Sequence, residues 1–206
     1  MVSRERVYQV APPSLEGEFD LQGHLDALPP DAKNKGMFNN LAIDHAAQHQ
    51  VGRAQLFDHA GVSEQVFRAF LDYPYEKYLR LMAAAAELSY PKLSVKEGIR
   101  RIGRGSYPMF MGTQIGRVLY AVAGSDINRA LSAVQKGYRL SLSFGKVRHE
   151  PLGDKHAALH YRDMPAMLES CQLGVLEGGL EWFGVSGSVE LQLHSLSEAT
   201  FELWWE

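Results

Sequence analysis

The chain has 206 residues and a mass of 23.0 kDa, with 46% hydrophobic and 22% charged residues, a composition that excludes disorder and low-complexity polymers. Its one cysteine, Cys171, excludes an intrachain disulfide and any zinc site built on two or more thiolates, and suits a reducing compartment. The net charge of −3 is unevenly spread: residues 1–75 sum to −4, 76–148 to +9 and 149–206 to −8, a pattern that bears on assembly and partners rather than on fold.

Residues 1–18 read as irregular, with Pro12, Pro13 and Gly17 as breakers. They hold no signal-peptide core, and no apolar run reaches the ~20 residues of a membrane span, so the expectation is a cytoplasmic protein without membrane contact. Asp20 caps a short helix carrying Leu21, Leu25 and Leu28, which Pro29-Pro30 stops. Residues 1–34 are expected to form an extension with this one helix, and 35–206 a single domain. A second helix is predicted from Gly36 to Gln50 and ends at Gly52; a third covers Ser63 to Asp72, with Val66, Phe67, Phe70 and Leu71 at helical spacing. Pro74 restarts a helix with Tyr75, Tyr78, Leu79, Met82 and Ala86 on one stripe. Ser94 and Glu97 form a capping box before a further helix that ends near Gly103 or Gly105. Pro108 opens the next, with Met111, Ile115, Val118, Leu119 and Val122, and Asp126 starts one through Leu131 and Val134.

The period then changes to two. Leu140, Leu142 and Phe144 alternate with polar residues, as do Ala157, Leu159 and Tyr161 after a turn at Pro151–Asp154, predicting an antiparallel hairpin. One long helix is predicted from Pro165 to Phe183. Val189, Leu191, Leu193 and then Phe201, Leu203, Trp205 form a second hairpin, with Trp204 on the opposite face. The fold class is therefore α+β: a helical N-terminal part packed on an antiparallel sheet of two hairpins separated by a long helix. Gly174 and Gly178 leave a flat stripe on that helix, read as helix-on-sheet packing.

Sites for chemistry are few. His45 and His49 stand four apart on one helix face, as in helical zinc sites, but the intervening residues supply no general-base Glu. No P-loop, dinucleotide fingerprint or serine-hydrolase elbow occurs. Cys171 reads as a small core residue, and Glu177 with Glu181 as a solvated face. Lys96, Arg100 and Arg104 share a helix face, with Arg101 about 100° away. They pair either with the acidic C-terminal third or with an anionic ligand or acidic partner; the expectation is that Lys96 and Arg100 remain available while Arg101 or Arg104 is tied into the fold. A pI of 6.2 and the lack of a DNA-binding motif argue against nucleic acid. A Trp on the outer face of a sheet marks Trp204 for a covering element or a second subunit.

Several stretches resemble a family of uncharacterised proteins of about 200 residues, largely restricted to myxobacteria. They are Lys35-Gly-Met-Phe38, Asp72-Tyr-Pro-Tyr-Glu76, Leu88-Ser-Tyr-Pro91, Gly98-Ile-Arg-Arg-Ile-Gly-Arg104, Gly116-Arg117 and Leu173-Gly-Val-Leu-Glu-Gly178. The resemblance spans about residues 35–206 and implies no activity. The order of elements is also similar to haem nitric-oxide/oxygen binding domains and, more remotely, to four-vinyl-reductase and TRAPP-like folds. Haem domains carry a proximal His on the helix before the first strands and a Tyr-x-Ser-x-Arg motif for the propionates. Here those positions read Ser125-Asp-Ile-Asn-Arg129 and Tyr161-Arg-Asp-Met-Pro165, so of the two signatures only the Tyr survives. The resemblance implies a non-enzymatic sensory or regulatory domain without haem or other cofactor, binding a small ligand or a partner protein and self-associating. Its alternatives are a metal-dependent hydrolase using His45 and His49, and a purely structural homodimer.

Overall fold

The computed structural model of the chain describes residues 17–113, 116–118, 121, 124 and 126–206. Helix α1 (Leu21–Asp26) begins where Asp20 accepts a 2.7 Å hydrogen bond from the Gly23 amide, a side-chain N-cap. Its buried His24 reaches 2.9 Å to the equally buried Glu169, which docks α1 against the C-terminal half of the chain. Two short strands, β1 (Lys33–Lys35) and β2 (Asp72–Pro74), pair antiparallel and bracket α2 (Gly36–Gln48) and α3 (Arg53–His59).

The helix expected over residues 63–72 is not formed. Gly52 precedes a new helix instead, and the Val66, Phe70 and Leu71 side chains are largely exposed, while Phe67 alone is buried and stacks on Phe57. Side chains capture the backbone groups that a helix would have used: Asn40 Nδ2 donates to the Phe67 carbonyl, Arg53 to the Gln65 carbonyl, and the Arg68 amide to the Tyr73 hydroxyl.

Helix α4 (Tyr75–Ser89) follows the expected stripe, with Tyr75, Tyr78, Leu79, Met82 and Ala86 all buried. Helix α5 (Val95–Met111) is capped by Ser94 Oγ, which accepts from the Glu97 amide. It does not stop at Gly103 or Gly105 but runs through Pro108. Gly103 serves close packing rather than termination: a Cβ there would lie 2.3 Å from the Cys171 carbonyl oxygen. The expected helix positions Ile115, Leu119 and Val122, like Pro12 and Pro13, lie outside the described residues.

Asp126 caps α6 (Ile127–Ser141) by accepting from the Arg129 amide. This helix overruns the first stretch expected to be a strand. The 3.6-residue stripe continues from Ile127 and Leu131 to Tyr138 and Ser141, and the two-residue alternation at 139–144 yields to it, leaving Leu140 exposed. The hairpin starts later, as β3 (Lys146–Gly153) and β4 (His156–Arg162). Pro165 does not open a helix. Met167 takes a left-handed conformation, a π turn covers Leu168–Gln172, and α7 (Leu173–Trp182) follows. Strands β5 (Gly187–Ser195) and β6 (Glu198–Trp205) complete an antiparallel sheet in the order β3-β4-β6-β5. Its inner face carries Ala157, Leu159, Tyr161, Phe201, Leu203 and Trp205 against the helices, the α+β arrangement of two hairpins separated by a helix.

Helices α5 and α7 run parallel, because Arg100 meets Glu177 and Arg104 meets Glu181 with the same sequence offset. Cβ atoms at Gly174 and Gly178 would lie 2.0 and 2.3 Å from the carbonyl oxygens of Arg100 and Arg104. The glycine stripe therefore admits another helix's backbone, not the sheet expected from the sequence.

Candidate functional site

An apolar cavity lies among α2, α4, α5, α6, the π turn and α7, above the inner face of the sheet. Its atom-free space, open mouth included, is about 1310 Å³. Phe38, Leu41, Ile127, Leu131, Val134, Val175, Leu176 and Leu203 supply most of the wall, and Tyr107 and Phe110 stand half-buried in it. The π turn places the consecutive residues Cys171 and Gln172 both on the wall. Two tight contacts order this side: the Tyr138 hydroxyl donates to Gln172 Oε1, and the Tyr78 hydroxyl lies 3.9 Å from Cys171 Sγ.

No residue of the described wall carries a formal charge. Burial pushes the Cys171 thiol and the Tyr107 phenol each up to about 12, and raises Tyr75, Tyr78 and Tyr138 well above the ordinary phenol value. These groups stay protonated at neutral pH. Ser141 Oγ, on the wall in a residue 3% exposed, has no hydrogen-bond partner among the described residues.

This donor set does not fit haem. The described wall contains no imidazole for the iron and no Lys or Arg to meet propionates. Its one thiol is protonated, which leaves the Met111 thioether without a strong axial ligand beside it.

The residues singled out in the sequence lie elsewhere. Arg100 does not remain available: it is 7% exposed, and its guanidinium donates to both oxygens of the buried Glu177 at 2.6–3.2 Å and to Glu97 at 3.1 Å. Glu177 is correspondingly not part of a solvated face; burial raises its carboxyl even with Arg100 against it. Arg104 pairs with Glu181, Arg101 with Glu97, and Lys96 is half-buried on the same helix. The positive central segment is thus joined to the acidic C-terminal third. Trp204 points to the outer face, as the alternation requires, and stacks on His156 at 4.7 Å. His45 and His49 do converge, with ring centroids 4.8 Å apart, and burial lowers His45 to about 4. Among the described residues, no three His, Cys, Asp or Glu side chains are grouped to hold a metal ion. The sequence does not single out Tyr107, Tyr138, Ser141 and Gln172, because Tyr, Ser and Gln lining a cavity from helices have the same pattern as partly polar core.

A family model, protein of unknown function (DUF2378), matches residues 30–206, and the chain belongs to that family. No curated protein matches it. The fold is similar to solved H-NOX structures. An H-NOX protein from S. oneidensis in the Fe(II)NO ligation state superposes with a TM-score of 0.68 at 12% identity, covering 84% of this chain and 99% of that one. An Fe(II) unliganded H-NOX protein from K. algicida gives 0.64 at 16% identity, covering 84% and 96%. An oxygen-binding H-NOX domain related to soluble guanylate cyclases gives 0.64 at 16%, covering 84% and 95%. The H-NOX-like α+β fold spans most of the chain. No described helix is long and apolar enough to cross a membrane.

Proposed function

We propose that this protein is a non-enzymatic sensory or regulatory domain that binds a small, uncharged, largely apolar molecule in the interior cavity, and that it does so without haem. The observation that carries this reading is the uncharged cavity with a buried, unpartnered Ser141 hydroxyl on its wall. Apolar walls with a small number of placed polar groups are the usual composition of small-molecule sites, and an unpaired buried hydroxyl is costly unless something completes it. The solved proteins of this fold include gas-ligated H-NOX proteins, which supports a sensory role while the wall chemistry argues for a different occupant.

The test is displacement of an apolar fluorescent probe, N-phenyl-1-naphthylamine, from the full chain, with native mass spectrometry of the purified protein for retained small molecules. We expect saturable probe binding at one site and at least a tenfold loss in Val134→Phe, which places a ring in the cavity. Equal probe binding by wild type and Val134→Phe overturns the cavity as the site.

A further inference from the structure

His45, His49 and Tyr90 form a second cluster, separate from the cavity. His45 lies one turn beyond Leu41 on α2, His49 is the C-cap residue of that helix, and Tyr90 is the C-cap residue of α4. The Tyr90 hydroxyl lies 3.0 Å from His45 Nε2 and 3.2 Å from His49 Nε2. Both imidazoles therefore reach the same phenol oxygen, with their ring centroids 4.8 Å apart.

The spacing suits a metal ion. With metal–nitrogen and metal–oxygen distances of about 2.0–2.2 Å, neighbouring ligand atoms of a tetrahedral or octahedral site stand about 2.9–3.4 Å apart. The two observed separations from Tyr90 fall in that range. We propose that His45, His49 and Tyr90 bind a divalent first-row transition metal, with zinc as the reference ion, through two imidazole nitrogens and one phenol oxygen. Nitrogen and oxygen donors without thiolate select this class over the all-oxygen sites of calcium and magnesium.

The surroundings favour an open site. His45 is 7% exposed and held within its helix, and its Nδ1 side faces Gly105, where even an added Cβ would stay 3.8 Å away. His49 is exposed, so the remaining coordination positions point to water, as in sites that keep a position for an exchangeable ligand. The Arg101 guanidinium sits 5.6 Å over the Tyr90 ring and is itself paired with Glu97 at 3.2 Å. Burial raises the Tyr90 hydroxyl above the ordinary phenol value and Arg101 opposes that rise only in part, so a bound metal would have to supply the rest of the drive to deprotonate it.

The competing arrangement has no metal: the hydroxyl donates to one imidazole and accepts from the other. Tag-free full-length protein, stripped with EDTA, is titrated with Zn²⁺ by calorimetry and with Co²⁺ by visible absorption. We expect one equivalent of each and cobalt d–d bands. His49→Gln, at an exposed position, should weaken zinc binding by about 100-fold, and Tyr90→Phe by at least tenfold with an altered cobalt spectrum. Far-UV circular dichroism checks that both variants remain folded. Zinc binding of equal strength in wild type and in both folded variants, or no stoichiometric binding by the wild type, overturns the site.

Discussion

Arg100 and Glu177 lie 77 residues apart and meet through a two-pronged ion pair, Nε at 2.9 Å from one carboxylate oxygen and Nη2 at 2.6 Å from the other, with both side chains more than 90% buried. They lock two parallel helices whose backbones touch. A pair of this kind is expensive to desolvate and more expensive to break, since removing one partner strands the other charge. Arg100→Ala and Glu177→Ala should each lower the unfolding free energy by about 3–5 kcal/mol. Arg104→Ala, whose pair with Glu181 is partly solvated, should cost less than about 1 kcal/mol. Urea unfolding monitored by Trp fluorescence checks both. Equal losses at Arg100 and Arg104 would contradict the assignment of Arg100 as the interior lock.

The same seam depends on missing side chains. A Cβ at Gly174 would lie 2.0 Å from the Arg100 carbonyl oxygen, and backbone cannot move aside as a flexible side chain can. Gly174→Ala should therefore destabilise by about 3 kcal/mol, at the upper end of overpacking costs. Gly52→Ala, whose Cβ would have no atom nearer than 3.9 Å, should cost well under about 1 kcal/mol through its cap position. Thermal denaturation of the two variants side by side decides it; comparable melting temperatures would mean that α5 and α7 pack more loosely than the backbone contacts indicate.

The parts of this architecture that repeat every two residues were legible in the sequence. Val189, Leu191, Phe201 and Leu203 fell on one face of β5 and β6, and Trp204 on the other. Several other stretches were not. Residues 63–72 have helical spacing, but Asn40, Arg53 and Tyr73, distant or later in the chain, take up their backbone groups. Residues 139–144 have strand spacing, but an established helix ran into them. Pro108 looked like a start and sits inside α5. Tertiary contact outweighed the local signal at 63–72, while at 139–144 a longer helical stripe outweighed a short alternation. The candidate site was harder still. Glycines 174 and 178 announced a close approach without naming the helix that makes it, and no spacing distinguishes the wall residue Ser141 from any other helical Ser.

Acid should destabilise the metal-free protein through His45. Its folded value of about 4 lies below the ordinary value of 6.5, because burial, and secondarily His49, disfavour the imidazolium. Between these two values the unfolded chain binds the proton and the folded one does not, so stability is full above about pH 6.5 and falls as pH drops toward 4. The difference in unfolding free energy between wild type and His45→Gln, measured from pH 8 to pH 4.5 with EDTA present, should shrink as pH falls. A pH-independent difference would show that the imidazole titrates normally in the folded state.

Haem binding is expected to fail. The described cavity wall offers neither imidazole nor a cation for propionates, and Cys171 is held as a thiol by burial. Hemin titrated into the purified protein, oxidised or reduced with dithionite, should give no sharp, saturable Soret band at one equivalent. Such a band, lost in Met111→Ala, would reverse the reading of the wall.

Ser141 sets stability against binding. Its hydroxyl is buried without a partner among the described residues, and leaving such a group unpaired costs about 1–3 kcal/mol relative to a shape-matched apolar group. Ala keeps the Cβ and lacks only the hydroxyl, and it has the higher helix propensity near the C-terminus of α6. Ser141→Ala should therefore raise the unfolding free energy of the empty protein by about 1 kcal/mol. If the cavity's natural occupant completes the hydroxyl, the same substitution removes a hydrogen bond from the complex. Any small molecule found by native mass spectrometry to travel with the wild-type protein should then be depleted in the variant, while N-phenyl-1-naphthylamine, which has no need of the hydroxyl, should bind at least as well. A variant that is more stable yet retains the same small molecule at the same occupancy would separate Ser141 from recognition and leave the hydroxyl as an unpaired group in the core.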